Sequence, residues 1–119
     1  MSLSSRGCIF ALTGNNYVHF FSKTAYTGET LRIRCGHKTL TSPVDWRYRR
    51  QYESEFEQII SGGHLTGDDD FGGRLNINGS TLIINNVQTN DSGIYICIED
   101  TGQGMRHNIS LSVNGKLSE

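Results

Sequence analysis

Apolar and polar positions alternate with period two in short runs, and turn-forming residues separate the runs roughly every 8–12 positions. "TLRIRC" (Thr30 to Cys35) puts Leu31, Ile33 and Cys35 on one face and Arg32 and Arg34 on the other, as a half-buried strand does. From Val44 onward, Val44, Trp46 and Tyr48 share one face, and Asp45, Arg47 and Arg49 share the other. Further strands are predicted over Tyr17–Tyr26, Glu55–Ile60, Arg74–Ile77, Ser80–Asn86, Gly93–Glu99 and Met105–Val113. "TGQG" (Thr101 to Gly104) predicts a tight hairpin turn, and "SGGHLTGDDDFGG" an irregular or edge segment. No helix of useful length is patterned anywhere. Residues 1–16 carry no readable period and are taken as an N-terminal extension. The domain spans 17–114, and 115–119 open a linker.

A chain of 119 residues holds one ordinary domain with a single core. Glycine is abundant at 14 and proline occurs once, which with the short runs gives an all-β class. Eleven basic residues against twelve acidic ones leave no electrostatic footprint for nucleic acid or an anionic membrane. No apolar run reaches the ~18 residues of a membrane span, and the start of the chain lacks the pattern of a signal peptide.

The chain has three cysteines: Cys8, Cys35 and Cys97. There is no C-x-x-C, and His19, His37, His64 and His107 are scattered, so no metal site is expected. Asp68-Asp69-Asp70 has the chemistry of a calcium ligand set, but flanking glycines favour a solvated acidic loop. Serines, histidines and aspartates form no nucleophile elbow or carboxylate pair; no enzyme and no cofactor are expected. Cys8 has no base beside it for catalysis, and pairing with another chain, pairing beyond this sequence or a free thiol stay open.

Cys35 and Cys97 both fall on inward strand faces, with Trp46 following the first. Two sheets packed about 10 Å apart can be bridged by such a pair. Tyr95, two residues before Cys97, is placed to turn its hydroxyl back to the preceding corner. The frame Cys35…Trp46…Asp91-Ser92-Gly93-x-Tyr95-x-Cys97, with "STLIINNVQTNDSGIYIC" and a final "ISLSV", resembles the immunoglobulin superfamily over roughly residues 17–114. The resemblance implies a two-sheet antiparallel β-sandwich with Greek-key topology and an oxidising, extracellular or cell-surface location. It also implies an ion pair between Arg74 and Asp91. The room between Trp46 and Arg74 is similar to that of variable-type (V-set) domains with extra C′ and C″ strands. Gly102-Gln103-Gly104 resembles both the short hairpin of intermediate-set domains and the bulge of antigen-receptor joining segments, and the two readings stay open. A long hypervariable loop is absent.

Function follows from parity. With Tyr95 and Cys97 inward, Ile94, Ile96 and Ile98 point outward as a column of exposed apolar side chains, the mark of a binding surface. In the competing reading, the stems of Arg47, Arg49 and Arg106 cover them. The resemblance implies a protein-binding face on strands G, F, C and C′. Ile96 and Ile98 would form its centre, ringed by Arg47, Arg49 and Arg106, with Glu57 at the rim. Asn78, Asn90 and Asn108 head glycosylation sequons. The expected function is an extracellular recognition module binding a protein partner or a second copy of itself, in immune recognition or adhesion. The alternative is a spacer domain of a multi-domain adhesion or matrix protein, with no site of its own.

Overall fold

The computed structural model describes residues 9–13, 16–36, 40–67 and 71–115, with side chains from His19 onward. Its alternating runs form strands β1 (Ile9–Thr13), β2 (Asn16–Tyr26), β3 (Leu31–Ile33), β4 (Asp45–Arg50) and β5 (Glu57–Ser61). They continue as β6 (His64–Leu65), β7 (Leu75–Asn78), β8 (Thr81–Ile84), β9 (Gly93–Ile98) and β10 (Arg106–Asn114). One sheet has the order β1-β2-β10-β9-β4-β5-β6, and the other β3-β8-β7. Neighbours are antiparallel except β2 and β10, which run parallel. The result is a two-sheet β-sandwich, the architecture the resemblance implies.

Period-two patterning explains the layers. Leu31, Ile33 and Cys35 face Trp46, Tyr48, Tyr95 and Cys97 across the sandwich, and Leu82, Ile84, Ile109, Leu111 and Val113 complete the core. Cys35 and Cys97 form a disulfide between the sheets. Trp46, fully buried, stands opposite Cys97 in the β4–β9 register and donates Nε1–H to the Ser80 carbonyl at 3.2 Å. On a chain-entropy basis, closing a loop of 62 residues contributes roughly 4 kcal/mol.

The corner before β9 is locked by hydrogen bonds. A 3₁₀ turn spans Thr89–Asp91. Tyr95 donates its hydroxyl to the Asp91 carbonyl at 2.6 Å. Burial, and then the Asp91 charge, push the phenol well above the usual tyrosine range, so it remains a donor. The Asp91 carboxylate is fully buried and accepts two bonds from Arg74, at 2.7 and 3.0 Å, and one from the Gln88 amide at 2.8 Å. Gly93 is required at the next step, because a Cβ there would lie 2.1 Å from the Arg49 carbonyl oxygen.

Two strands lie where no period was readable. β1 pairs with β2 and extends the sheet ahead of residue 17, and the two-residue β6 lies in the glycine-rich segment. The turn into β10 also differs from the tight hairpin over Thr101–Gly104. It begins at Glu99, and Asp100 (φ 54°), Thr101 (φ 51°) and Gly102 (φ 93°) all have left-handed backbone. The Thr101 amide donates to the Pro43 carbonyl at 2.9 Å, and Gly104 to Glu99 at 2.8 Å. Cys8, His37 and Asp68–Asp70 lie outside the described residues.

Candidate binding face

The outward face of the larger sheet is built by register. Ile96 of β9 lies between Arg47 of β4 and Asn108 of β10; Gln58 lies beyond Arg47, and Phe20 of β2 beyond Asn108. Ile98 lies between Asp45 and Arg106, and Ile94 between Arg49 and Ser110.

This register corrects the expected exposed column. Ile96 is only 7% exposed and Ile98 only 1%, while Ile94 is half-buried. Arg47 and Arg49, their register neighbours on β4, are themselves half-buried, as arginines are when their stems lie on apolar surface. Over Ile98 the β9–β10 turn folds back toward β4, where Gly102 sits close against the Asp45 carboxylate. Asp45 is buried in turn, accepting from the Gly62 amide at 2.7 Å and from Gln58 at 3.2 Å. Of the arginines in the competing reading, Arg47 and Arg49 are half-buried beside Ile96 and Ile94, while Arg106, next to Ile98, is exposed.

Glu57 is corrected too. A bulge between Trp46 and Arg47 shifts the β4–β5 register, so Glu57 falls opposite the inward Tyr48. Gln58 takes the outward position opposite Arg47.

Exposed apolar surface on this face flanks β9 on both sides, near Ile94. Phe20, 37% exposed, and Phe56, 41% exposed, stand on either side of Ile94. With Arg49, Asn108 and Ser110 they line a groove of about 470 Å³. Arg49 places its guanidinium carbon 5.3 Å above the Phe56 ring and donates to the Glu53 carbonyl at 2.6 Å. Neither Phe20 nor Phe56 is singled out by the sequence; the parallel pairing of β2 with β10 brings Phe20 beside Asn108. Arg106 is exposed at the turn end of the face, and Arg47 flanks its centre.

Of the three sequon asparagines, Asn78 is exposed at the β7–β8 turn and Asn90 is exposed in the 3₁₀ corner. Asn108 is half-buried on the face, and its Oδ1 is buried with no hydrogen-bond partner. A second groove opens between β2 and β3, floored by Phe21, Ile33 and Ile109. Lys23, Arg32 and Arg34 line it; Lys23 is an exposed lysine at an inward-parity position, an arrangement that discourages strand addition at a sheet edge. Among the described residues no group of histidine, cysteine and carboxylate side chains could hold a metal ion. Among the described residues no helix is long and apolar enough to cross a membrane.

The family profile "Immunoglobulin domain" matches residues 22–106, well over half of the chain. The chain belongs to the immunoglobulin-domain family. Solved structures agree on its fold. The first immunoglobulin domain of the mouse polymeric immunoglobulin receptor superposes with a TM-score of 0.59 at 22% identity, covering 82% of this chain and 93% of that one. The extracellular domain of the voltage-gated sodium channel β4 subunit superposes with a TM-score of 0.57 at 15% identity, covering 81% and 92%. That subunit is described as a parallel homodimer with a role in cell–cell adhesion. No curated protein sequence matches this immunoglobulin domain significantly. Domains of the family are typically non-enzymatic binding modules, and the inter-sheet disulfide suits an extracellular one.

Proposed function

We propose that this immunoglobulin domain is a variable-type extracellular recognition module that binds protein, its own copy included, through the outward face of the larger sheet. The observation that carries this is the groove between Phe20 and Phe56, which places two exposed aromatic rings around Ile94 with Arg49 over the Phe56 ring. Aromatic residues and arginine are the types enriched where binding energy concentrates. The centre of contact therefore moves from Ile96 and Ile98 toward Phe20, Phe56, Ile94 and Arg49, with Arg47 and Arg106 at the margin. Strands β5 and β6, inserted between β4 and β7, support the variable-type reading. The receptor and adhesion domains that share the fold support immune recognition or adhesion as the setting. Asn78 and Asn90 are the exposed candidates for glycans; a glycan on Asn108 would crowd the groove.

Sedimentation equilibrium of the non-glycosylated domain tests the reading. The wild type self-associates weakly, and both Phe56→Asp and Arg49→Glu are monomeric at the same concentration. Equal association of all three would place the contact elsewhere. A monomeric wild type would favour the spacer reading, which the internal coverage of Ile96 and Ile98 supports.

A further inference from the structure

Beside the β9–β10 turn, three titratable side chains form a chain that the binding face does not use. His107 of β10 is 2% exposed. Its Nε2 lies 2.7 Å from Glu99 Oε2, and its Nδ1 lies 3.0 Å from Nδ1 of His19 on β2. The two rings are edge to face, with centroids 4.8 Å apart, and Phe21 packs beside both. Gly36 closes the other side, where a Cβ would come within 2.7 Å of the His107 ring. The charged groups on the surrounding elements are Glu99 and Asp100 in the turn, Arg106 beside His107 on β10, Lys23 further along β2, Arg32 on β3 and Arg34 after it. Glu99 is the one hydrogen-bonded to His107. His37, next to Gly36 in sequence, lies outside the described residues.

We propose that Glu99, His107 and His19 form an acid-sensitive latch that holds β2 against β10. The chemistry follows from counting protons. Glu99 accepts from Nε2–H of His107. Two Nδ1 atoms at 3.0 Å can be hydrogen-bonded only if one proton lies between them. With both rings neutral, His19 donates to the Nδ1 lone pair of His107. With one ring protonated, a single proton still bridges the pair. With both protonated, N–H faces N–H: no acceptor is left, and two positive charges meet in a largely buried site. Histidine is the side chain that takes up this proton between neutral and mildly acidic pH. The β1–β2 hairpin joins the sheet along β10, so opening the latch loosens the hairpin rather than the core.

Amide hydrogen exchange, expressed as protection factors at about pH 7.5 and about pH 5, tests the latch. The wild type loses protection in β2 on acidification, while β9 keeps its own. His19→Gln retains a polar group for His107 but does not titrate, and it loses most of the acid response. His64→Gln, at an exposed histidine of β6, responds as the wild type does. An equal loss of β2 protection in His19→Gln and wild type overturns the proposal. Should His19→Gln fail to fold, imidazole nitrogen shifts of the wild type decide. Coupled titration of His19 and His107 supports the latch, and two independent single-site curves overturn it.

Discussion

Replacing Arg74 with alanine removes both donors that reach the Asp91 carboxylate from its open side, at 2.7 and 3.0 Å. Asp91 is fully buried, loses two of the donors to its carboxylate and keeps the Gln88 amide at 2.8 Å. Breaking a buried pair by deleting one partner costs about 3–5 kcal/mol, because the other charge stays desolvated. Arg74 retains 19% exposure, so water reaches the vacated site and the lower end applies, about 3 kcal/mol. Its bonds to the Asn85 and Asn86 carbonyls and its place over the Phe71 ring are lost as well, but those carbonyls lie in exposed residues. In a domain of this size the loss lowers the thermal midpoint by roughly 10 °C. Urea unfolding of Arg74→Ala, Asp91→Asn and the double variant measures it. The double variant is expected to be more stable than the sum of the single effects implies, by about 1–2 kcal/mol, since it removes the orphaned charge. A stability change below about 0.5 kcal/mol for Arg74→Ala, or strict additivity of the two, would refute the reasoning.

Gly93→Ala is expected to prevent folding or to abolish cooperative unfolding, because the new methyl would overlap the Arg49 carbonyl of the neighbouring strand; yield and the circular-dichroism melt report it. Reduction of Cys35–Cys97 is expected to lower stability by roughly 4 kcal/mol, read as the difference between urea curves with and without reductant. Produced in a secretory host, the domain is expected to carry a glycan on the exposed Asn78, seen as a mass shift on enzymatic deglycosylation that Asn78→Gln removes.

The core was legible because strand period is two and a buried face leaves little freedom of register. Thr30–Cys35, the run from Val44 and the Gly93–Glu99 run place their inward residues where alternation predicts. Arg74 and Asp91 meet as the resemblance implied, although nothing local in either segment says so. The face was less legible for a physical reason. Parity gives the direction of Ile96 and Ile98, but not whether neighbours on two other strands will lie over them. The Glu57 position was lost to a bulge, which no alternation reveals. β1 escaped because residues 9–13 are nearly all apolar and show no period, and β6 because two residues carry none. The His19–His107 contact depends on a parallel pairing between the two ends of the chain, which only the folded topology supplies.

The β9–β10 turn has a consequence for how such a domain diversifies. Its amides are tied to Pro43 and Glu99, and its glycine is wedged against Asp45, so one added residue would break the seal over Ile98. A lineage built on this turn cannot explore new ligands by lengthening or shortening it, as a loop-based repertoire does. On the proposed face, variation would then come one side chain at a time, from residues such as Phe20, Arg49 and Phe56 on a rigid sheet. Such changes alter the contact surface while leaving its shape intact. Copies that differ at a few of these positions would thus share one mode of docking and differ in whom they accept.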